Sequence, residues 1–257
     1  MIILDSIIEK KRKYQIEHYK TTKYGTALAT FHNKHNGRCF IIGNGPSLTA
    51  EDLTVLHNYN ECTFAFNRVY LIFKQTEWRP TYYMSQDKWI LSNSVKEANE
   101  VKAQAKFIPI ELKWYDKIYI KNAYYYHLVN RGDNTGFPDF SEQVDQFIAN
   151  SATVVYSAIQ MAVYMGFKEI YLIGVDQHFH ISKNAKGKII IDPTAKDYFC
   201  NNYNADKDKL AIPATETSYL AFLAAKNYAD THGVRIYNAT RGGKLEVFQR
   251  LEFDSLF

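Results

Sequence analysis

The sequence predicts an α/β fold, a mostly parallel sheet with helices on both faces, carrying an N-terminal helical extension and a lid insertion. Three observations lead there. Short apolar runs that stop at Gly, Asn or Asp alternate with stretches of helical spacing. Residues 151–176 join an amphipathic run directly to a buried β-branched run ending in Gly174-Val175-Asp176, the rhythm of a parallel βα unit. No Pro/Gly linker, repeat or low-complexity tract divides the 257 residues, a length that suits one doubly wound unit with appendages.

The elements follow in order. Residues 1–36 are the helical extension, and the polar turn that starts at His32 closes it. Residues 37–257 are the sheet domain. Its first strand is Cys39 to Asn44, stopped by Gly45-Pro46, and Thr49-x-x-Asp52 before Leu53 and Leu56 is a capping-box signal for the next helix. Further strands are expected at Cys62 to Asn67, at Thr81 to Ser85 and after Lys106, with one helix over Trp89 to Ala105. A helix from Thr153 to Met165 ends at Gly166 and feeds the strand that runs to Asp176. Residues 177–213 are polar and irregular, and at that length they read as a lid that orders over a bound ligand. A last helix, Thr215 to His232, stops at Gly233, and Val234 to Asn238 is the final strand.

Composition excludes several classes. Lys plus Arg exceed Asp plus Glu by 31 − 27 = 4, too little for a nucleic-acid footprint, so no nucleic-acid partner is expected. Three scattered cysteines, Cys39, Cys62 and Cys200, make neither a disulfide framework nor a Cys-x-x-Cys metal site and suit a reducing cytoplasm. The first twenty residues lack the ordered pattern of a signal peptide, and no apolar run approaches the ~20 residues of a membrane span. Ile2, Ile3, Leu4, Ile7 and Ile8 with Lys10, Lys11, Arg12 and Lys13 fit a basic amphipathic helix. Such a helix either rests on the inner membrane face as a peripheral contact or packs on its own domain or on a second copy in a homo-oligomer. The 20 Tyr and 16 Phe suit rings around a sugar or base, and equally a coding bias that raises Tyr, Phe, Lys, Asn and Ile together.

In an open parallel sheet, ligands bind beyond the carboxyl ends of the strands. The residues to weigh are therefore Asn44, Gly45 and Ser47 after the first strand, Asn67 after the second, Ser85 and Asp87 after the third, and Gly174, Asp176, Gln177 and His178 after the long one. The set is rich in amides, which donate and accept at once and so suit base edges and sugar hydroxyls. Gly43-Asn44-Gly45 falls short of a dinucleotide fingerprint because Leu48 stands at the third glycine position. What remains is a turn where Gly45 admits a ligand to the backbone and a helix start near Ser47 and Thr49 favours an anion. Asp206 and Asp208 have metal-clamp spacing but sit in a lysine-bearing polar stretch; His178 and His180 lack a third ligand, so no metal site is assigned.

The motifs GNGPSL, FNR and YLIGVD, in that order, with the ending from Asn238, resemble the bacterial members of the family named for the archaeal hydroxymethylpterin diphosphokinase, which includes flagellin-modifying motility accessory factors. Residues 38–240 are also similar to small bacterial sialyltransferases that finish lipooligosaccharide chains. That likeness implies a Rossmann-like nucleotide-sugar fold using a CMP-sugar donor and a glycan acceptor without a metal cofactor. It implies that Asn44 and Gly45 lie by the donor phosphate and ribose, that Asn67 holds phosphate or sugar, that Thr153 binds the donor from the helix start, and that Asp176, Gln177 and His178 border the nucleotide. It also matches Tyr198 to a lid tyrosine and puts Asn201 where those enzymes carry a catalytic histidine. The general base is left to His178, His180 or Asp197. The expected function is transfer of an acidic sugar, sialic acid or a related nonulosonate, from a CMP-sugar to a surface glycan. The alternatives are ATP-dependent pyrophosphate transfer to a hydroxymethylpterin, with Mg²⁺ between the phosphates, and a binding protein that has lost the reaction.

Overall fold

The structure, a computed structural model, describes residues 2–134, 136–179, 181–183, 189–191, 196–200, 203 and 214–257. Helices α1 (Ile2–Glu17) and α2 (Lys23–Ala29) precede strand β1 (Arg38–Ile42), helix α3 (Ala50–Asn58) and strands β2 (Thr63–Phe66) and β3 (Tyr82–Met84). Helices α4 (Lys88–Ser92) and α5 (Val95–Glu100), strand β4 (Ala105–Pro109), helix α6 (Ile110–Trp114) and strands β5 (Ala123–Tyr126), β6 (Leu128–Val129) and β7 (Ile148–Ala149) come next. The chain continues through α7 (Val154–Tyr164), β8 (Glu169–Ile173), β9 (Ile181–Lys183), β10 (Ile189–Ile191), α8 (Thr215–His232), β11 (Arg235–Asn238) and β12 (Gln249–Arg250).

Eight of these strands form one sheet in the order β12-β11-β8-β1-β2-β3-β4-β5. Every neighbouring pair in it is parallel, with Phe40 of β1 opposite Thr63 on one side and Tyr171 on the other. A parallel sheet is covered on both faces, which is why β1, β2 and β8 read as unbroken apolar runs. The chain moves outward from β1 to β5 on one side and returns to β8 on the other, so the sheet reverses direction between β1 and β8. This is the Rossmann-like α/β fold expected from the sequence.

Local signals fix the helices. Thr49 Oγ1 accepts from Asp52 N at 3.1 Å and starts α3. The Asp52 carboxylate does not reach back to complete the box; it pairs with Arg241 at 2.9 Å, which also holds Asp254 and so ties α3 to the chain's tail. Gly233, in the left-handed region at φ 67°, ends α8 where the sequence marks it. The helix expected over Trp89 to Ala105 is instead two short ones. Asn93 Nδ2 donates to Trp89 O and Ser94 Oγ to Ile90 O, so polar side chains take up the carbonyls of α4 and break the run.

The aromatic excess goes largely to the core. Phe31 stands edge-on to Phe107 and Tyr124, Phe64 packs on Tyr82, and Trp78, Tyr83, Tyr126 and Tyr156 are fully buried. Phe31, with Leu28 and Tyr19, brings the extension into that core, and Tyr19 Oη donates to Tyr125 O at 2.8 Å. Within residues 177–213 the structure shows an antiparallel pair, β9 with β10, where the sequence showed no periodicity, and buries Phe199 and Tyr203. Residues 180, 184–188, 192–195, 201–202 and 204–213 of the expected lid lie outside the described residues.

His35 sits at the opposite end of the sheet from the loops that follow β1 and β8. Its ring stacks on Phe167 at 4.2 Å and its Nε2 lies 2.8 Å from Tyr82 Oη. Burial, with Lys34 nearby, lowers its pKa below 6.5. The folded state therefore holds a neutral ring while the unfolded chain protonates, so stability is present above 6.5 and is lost as pH falls below it. The thermal midpoint should drop from pH 7 to pH 5, and His35→Phe should flatten that drop while lowering the midpoint at pH 7.

Candidate functional site

Where the sheet reverses, the turns after β1 and β8 are locked together. Gly43 N donates to Ile173 O at 2.7 Å and Gly45 N to Gly174 O at 2.9 Å. A Cβ on Gly43 would stand 2.2 Å from Gly174 O, and one on Gly45 would stand 1.9 Å from Asp176 Oδ2. The glycines thus serve close packing of chain on chain, which corrects the expectation that Gly45 clears a path for a ligand. Ser47 Oγ donates to Asp176 Oδ2 at 2.8 Å. Burial lifts the Asp176 pKa above the ordinary carboxylate value, and the Ser47 bond partly offsets this.

A cavity of about 440 Å³ opens beside this lock, within the usual range for small-molecule sites. It brings together Asn44, Gly45, Asn67, Asp87, Thr153, Gly174, Asp176, Gln177, His178, Asp197 and Tyr198, residues drawn from six separate stretches of the sequence. Ser47 and Ser85 do not line it, a correction in both cases. Ser47 is spent behind the wall on Asp176, and Ser85 is fully buried with its Oγ on Asn67 Oδ1 at 2.9 Å. His180 lies outside the described residues, as do Asn201, Asp206 and Asp208. Asn238 and Arg241, at and just past the end of β11, are structural: Asn238 Nδ2 donates to Leu245 O, and Arg241 holds its two aspartates.

The polar walls are set by the backbone. Asn67 has φ 50°, a left-handed conformation that asparagine tolerates better than most side chains. Its carbonyl accepts from Tyr83 Oη at 2.7 Å. Asn44 Nδ2 donates to Phe66 O at 3.2 Å, which fixes the amide; its Oδ1 is shielded from solvent and has no partner among the described residues. Asp87 caps α4 through Ile90 N, and Gln177, at φ 50°, reaches Thr215 O at 2.9 Å. The helix start that faces the cavity is that of α7, through Ala152, Thr153, Val154 and Val155, not the one near Ser47 and Thr49. Thr153 Oγ1 occupies only one of its amides, that of Val155.

Sequence reasoning missed Ile90 of α4, Phe179 after β8 and Phe222 of α8, which face the cavity together with Tyr203. Tyr203 is buried, stacks on Tyr198 at 4.1 Å and accepts from Arg68 Nη1 at its carbonyl, while Phe199 N donates to Asn44 O. The sequence signal for Tyr198, Phe199 and Tyr203 was a run of rings in a polar segment. Among the described residues, the lining holds no Lys or Arg and no group of three His, Cys, Asp or Glu side chains is placed to hold a metal ion.

Replacing Gly43 with alanine should unfold this corner before it touches chemistry. The Cβ meets backbone, which cannot rotate away, so a loss of roughly 2–3 kcal/mol is expected in a denaturant melt. A Gly43→Ala protein of unchanged stability would contradict the lock.

Comparison with known proteins gives the following. The family model described as 6-hydroxymethylpterin diphosphokinase MptE-like matches residues 13–182. No curated protein matches the chain. Among solved structures, the MAf glycosyltransferase from Magnetospirillum magneticum AMB-1 aligns at TM-score 0.53 and 16% identity over 91% of this chain. The chain spans only 38% of that protein's length. The sialyltransferase CstII from Campylobacter jejuni, in complex with cytidine-5'-monophosphate, aligns at TM-score 0.47 and 17% identity over 84% of this chain and 85% of its own. The first of these likenesses agrees with the fold, and the family match covers about two thirds of the sequence: the chain belongs to the 6-hydroxymethylpterin diphosphokinase MptE-like family.

Proposed function

We propose that the chain is a glycosyltransferase that takes an acidic sugar, sialic acid or a related nonulosonate, from a CMP-activated donor and passes it to a hydroxyl of a surface glycan. The observation that carries this reading is the charge of the cavity. Its described lining offers a helix N-terminus and amides to an anion but no lysine or arginine. A helix N-terminus is worth about half a positive charge, enough to favour one phosphodiester and far short of a bare triphosphate. The GNGPSL and YLIGVD likeness to small sialyltransferases points to the same donor. So does the amide set that lines the cavity, Asn44, Asn67 and Gln177.

The chemistry would be displacement at the anomeric carbon. As the acceptor oxygen forms its bond, the bond from that carbon to the phosphate oxygen breaks, and CMP leaves with the electron pair. A base takes the acceptor proton. His178 is assigned to that role because it lines the cavity next to Asp176, with Asp197 and Tyr198 on the same wall. The first-turn amides of α7 and the Asn67 Nδ2 group would stabilise the phosphate that departs.

The family's description favours a second reading, pyrophosphate transfer from ATP to a hydroxymethylpterin. That reading wants carboxylates around Mg²⁺. Asp87, Asp176 and Asp197 line the cavity, but Asp87 caps α4, Asp176 is committed to Ser47, and no three such side chains converge among the described residues, so these fit the ion poorly. Calorimetric titration with CMP, CDP, UDP, GDP and ATP, with and without Mg²⁺, separates the two. CMP should bind tightest and without Mg²⁺; tighter binding of ATP or UDP would overturn the donor assignment.

Two variants probe the site itself. Asn67→Asp keeps the left-handed turn and the acceptor for Ser85 but removes the donor, so CMP binding should weaken by about 1–3 kcal/mol with the thermal midpoint almost unmoved. An Asn67→Asp protein that melts far lower yet binds CMP normally would make Asn67 purely structural. His178→Gln should cut turnover by about a hundredfold or more while leaving CMP affinity within a few-fold, whereas unchanged turnover would move the base to Asp197 or His180.

A further inference from the structure

Helix α1 meets the domain along one side only. Arg12, Gln15 and Ile16 are partly buried; Arg12 donates to Trp114 O and lies over the Tyr115 ring, and Glu9 accepts from Tyr115 Oη. The opposite side is open, with Ile7 57% and Tyr14 62% exposed two turns apart and Lys10 and Lys11 between them. The neighbouring segment after α6 continues the pattern. Tyr115, Lys117, Tyr119 and Lys121 are exposed at alternate positions, while Ile118 and Ile120 between them are buried. The two stretches form one surface joined through Arg12 and Tyr115.

Charge on this surface is predominantly positive, with Glu17 the exposed carboxylate at the end of α1. Glu9 is engaged by Arg12 and Tyr115, and Asp116 by Lys88. Lys10, Lys11, Lys13, Lys117 and Lys121 have no ion-pair partner among the described residues. Apolar and tyrosine side chains interleaved with lysines are what an interfacial segment presents to a bilayer, rings at headgroup depth and ammonium groups among the phosphates. A second copy fits less well, since a two-fold contact would press Lys10 and Lys11 against their own counterparts.

We infer that the α1 and Tyr115–Lys121 surface docks the protein on a membrane rich in anionic lipid. The consequence for function is positional: Lys88, which precedes the exposed Trp89 and follows the cavity residue Asp87, bonds Asp116 of this surface and so places the cavity beside the bilayer. A membrane-borne acceptor would then meet the site at its surface.

The test is flotation of the full chain with vesicles, which needs no nucleotide and so stands apart from the donor assignment. Vesicles of phosphatidylcholine with about a third phosphatidylglycerol should carry the protein, and pure phosphatidylcholine should not. Raising salt from about 0.1 to about 0.5 M should release it. Lys10→Glu with Lys11→Glu should weaken partitioning about tenfold or more, as should Ile7→Asp, with the circular-dichroism melt of each unchanged. Equal recovery on both vesicle types, no recovery on either, binding to heparin without binding to anionic vesicles, or a concentration-dependent dimer that Ile7→Asp dissociates would each overturn the inference.

Discussion

The contact on which the site depends is the backbone-to-backbone seating of the β1 turn on the β8 turn. Two parallel strands from distant parts of the chain end side by side, and their loops must diverge at once to leave a crevice. They can approach that closely only because Gly43 and Gly45 lack a Cβ on the one side, while Gly174 adopts φ +64° on the other. Once seated, the pair is extended outward. Val175 N donates to Thr240 Oγ1, Lys244 N donates to Asp176 O, and Gly243 leaves room for the Asp176 backbone. The tail after β11 is therefore part of the same corner, and Arg241 pins it to α3. Asn44 and Asp176 face the cavity because this seating leaves them nowhere else to go.

That corner also explains the electrostatic character of the site. The carboxylate one might assign to a cation is already used, since Asp176 accepts from Ser47 and is buried. Beside Asp87, Asp176, Asp197 and His178, what faces the open space is a helix start, amides and rings. Such a lining discriminates by hydrogen-bond pattern and by the size of the negative charge it can tolerate, rather than by pulling in the most highly charged nucleotide. The stacked Tyr198 and Tyr203, held by Arg68 and by the Phe199 bond to Asn44, close one side of the cavity with planar surface suited to a sugar or base.

Much of this was legible in the sequence, for physical reasons that can be named. The buried strands β1, β2 and β8 announce themselves as apolar runs because both faces are covered, and the strand-end rule then picks out Asn44, Asn67, Asp176 and His178 without any knowledge of contacts. Edge and irregular elements were not legible. β5 carries three tyrosines and no clean alternation, β12 has two residues, and the β9 and β10 pairing is encoded in isoleucines that polar neighbours mask. The break between α4 and α5 depends on Asn93 and Ser94 turning back on carbonyls, a choice that local propensity leaves open. Ser47 and Ser85 were misplaced for one reason: position after a strand says that a side chain is near the crevice, not whether a buried partner such as Asp176 or Asn67 has claimed it. Gly45 was misread in the same way, because the sequence shows a missing side chain but not what fills the space.

The central claim is that the crevice between β1 and β8 holds a single nucleotide phosphate group on the first turn of α7 and on amides, without a side-chain cation. A crystal structure of the chain with CMP tests it most directly. The account predicts phosphate oxygens within hydrogen-bond distance of the Val154 backbone N–H and the Asn67 amide. A phosphate held by lysine or arginine side chains, or seated outside this crevice, would contradict it.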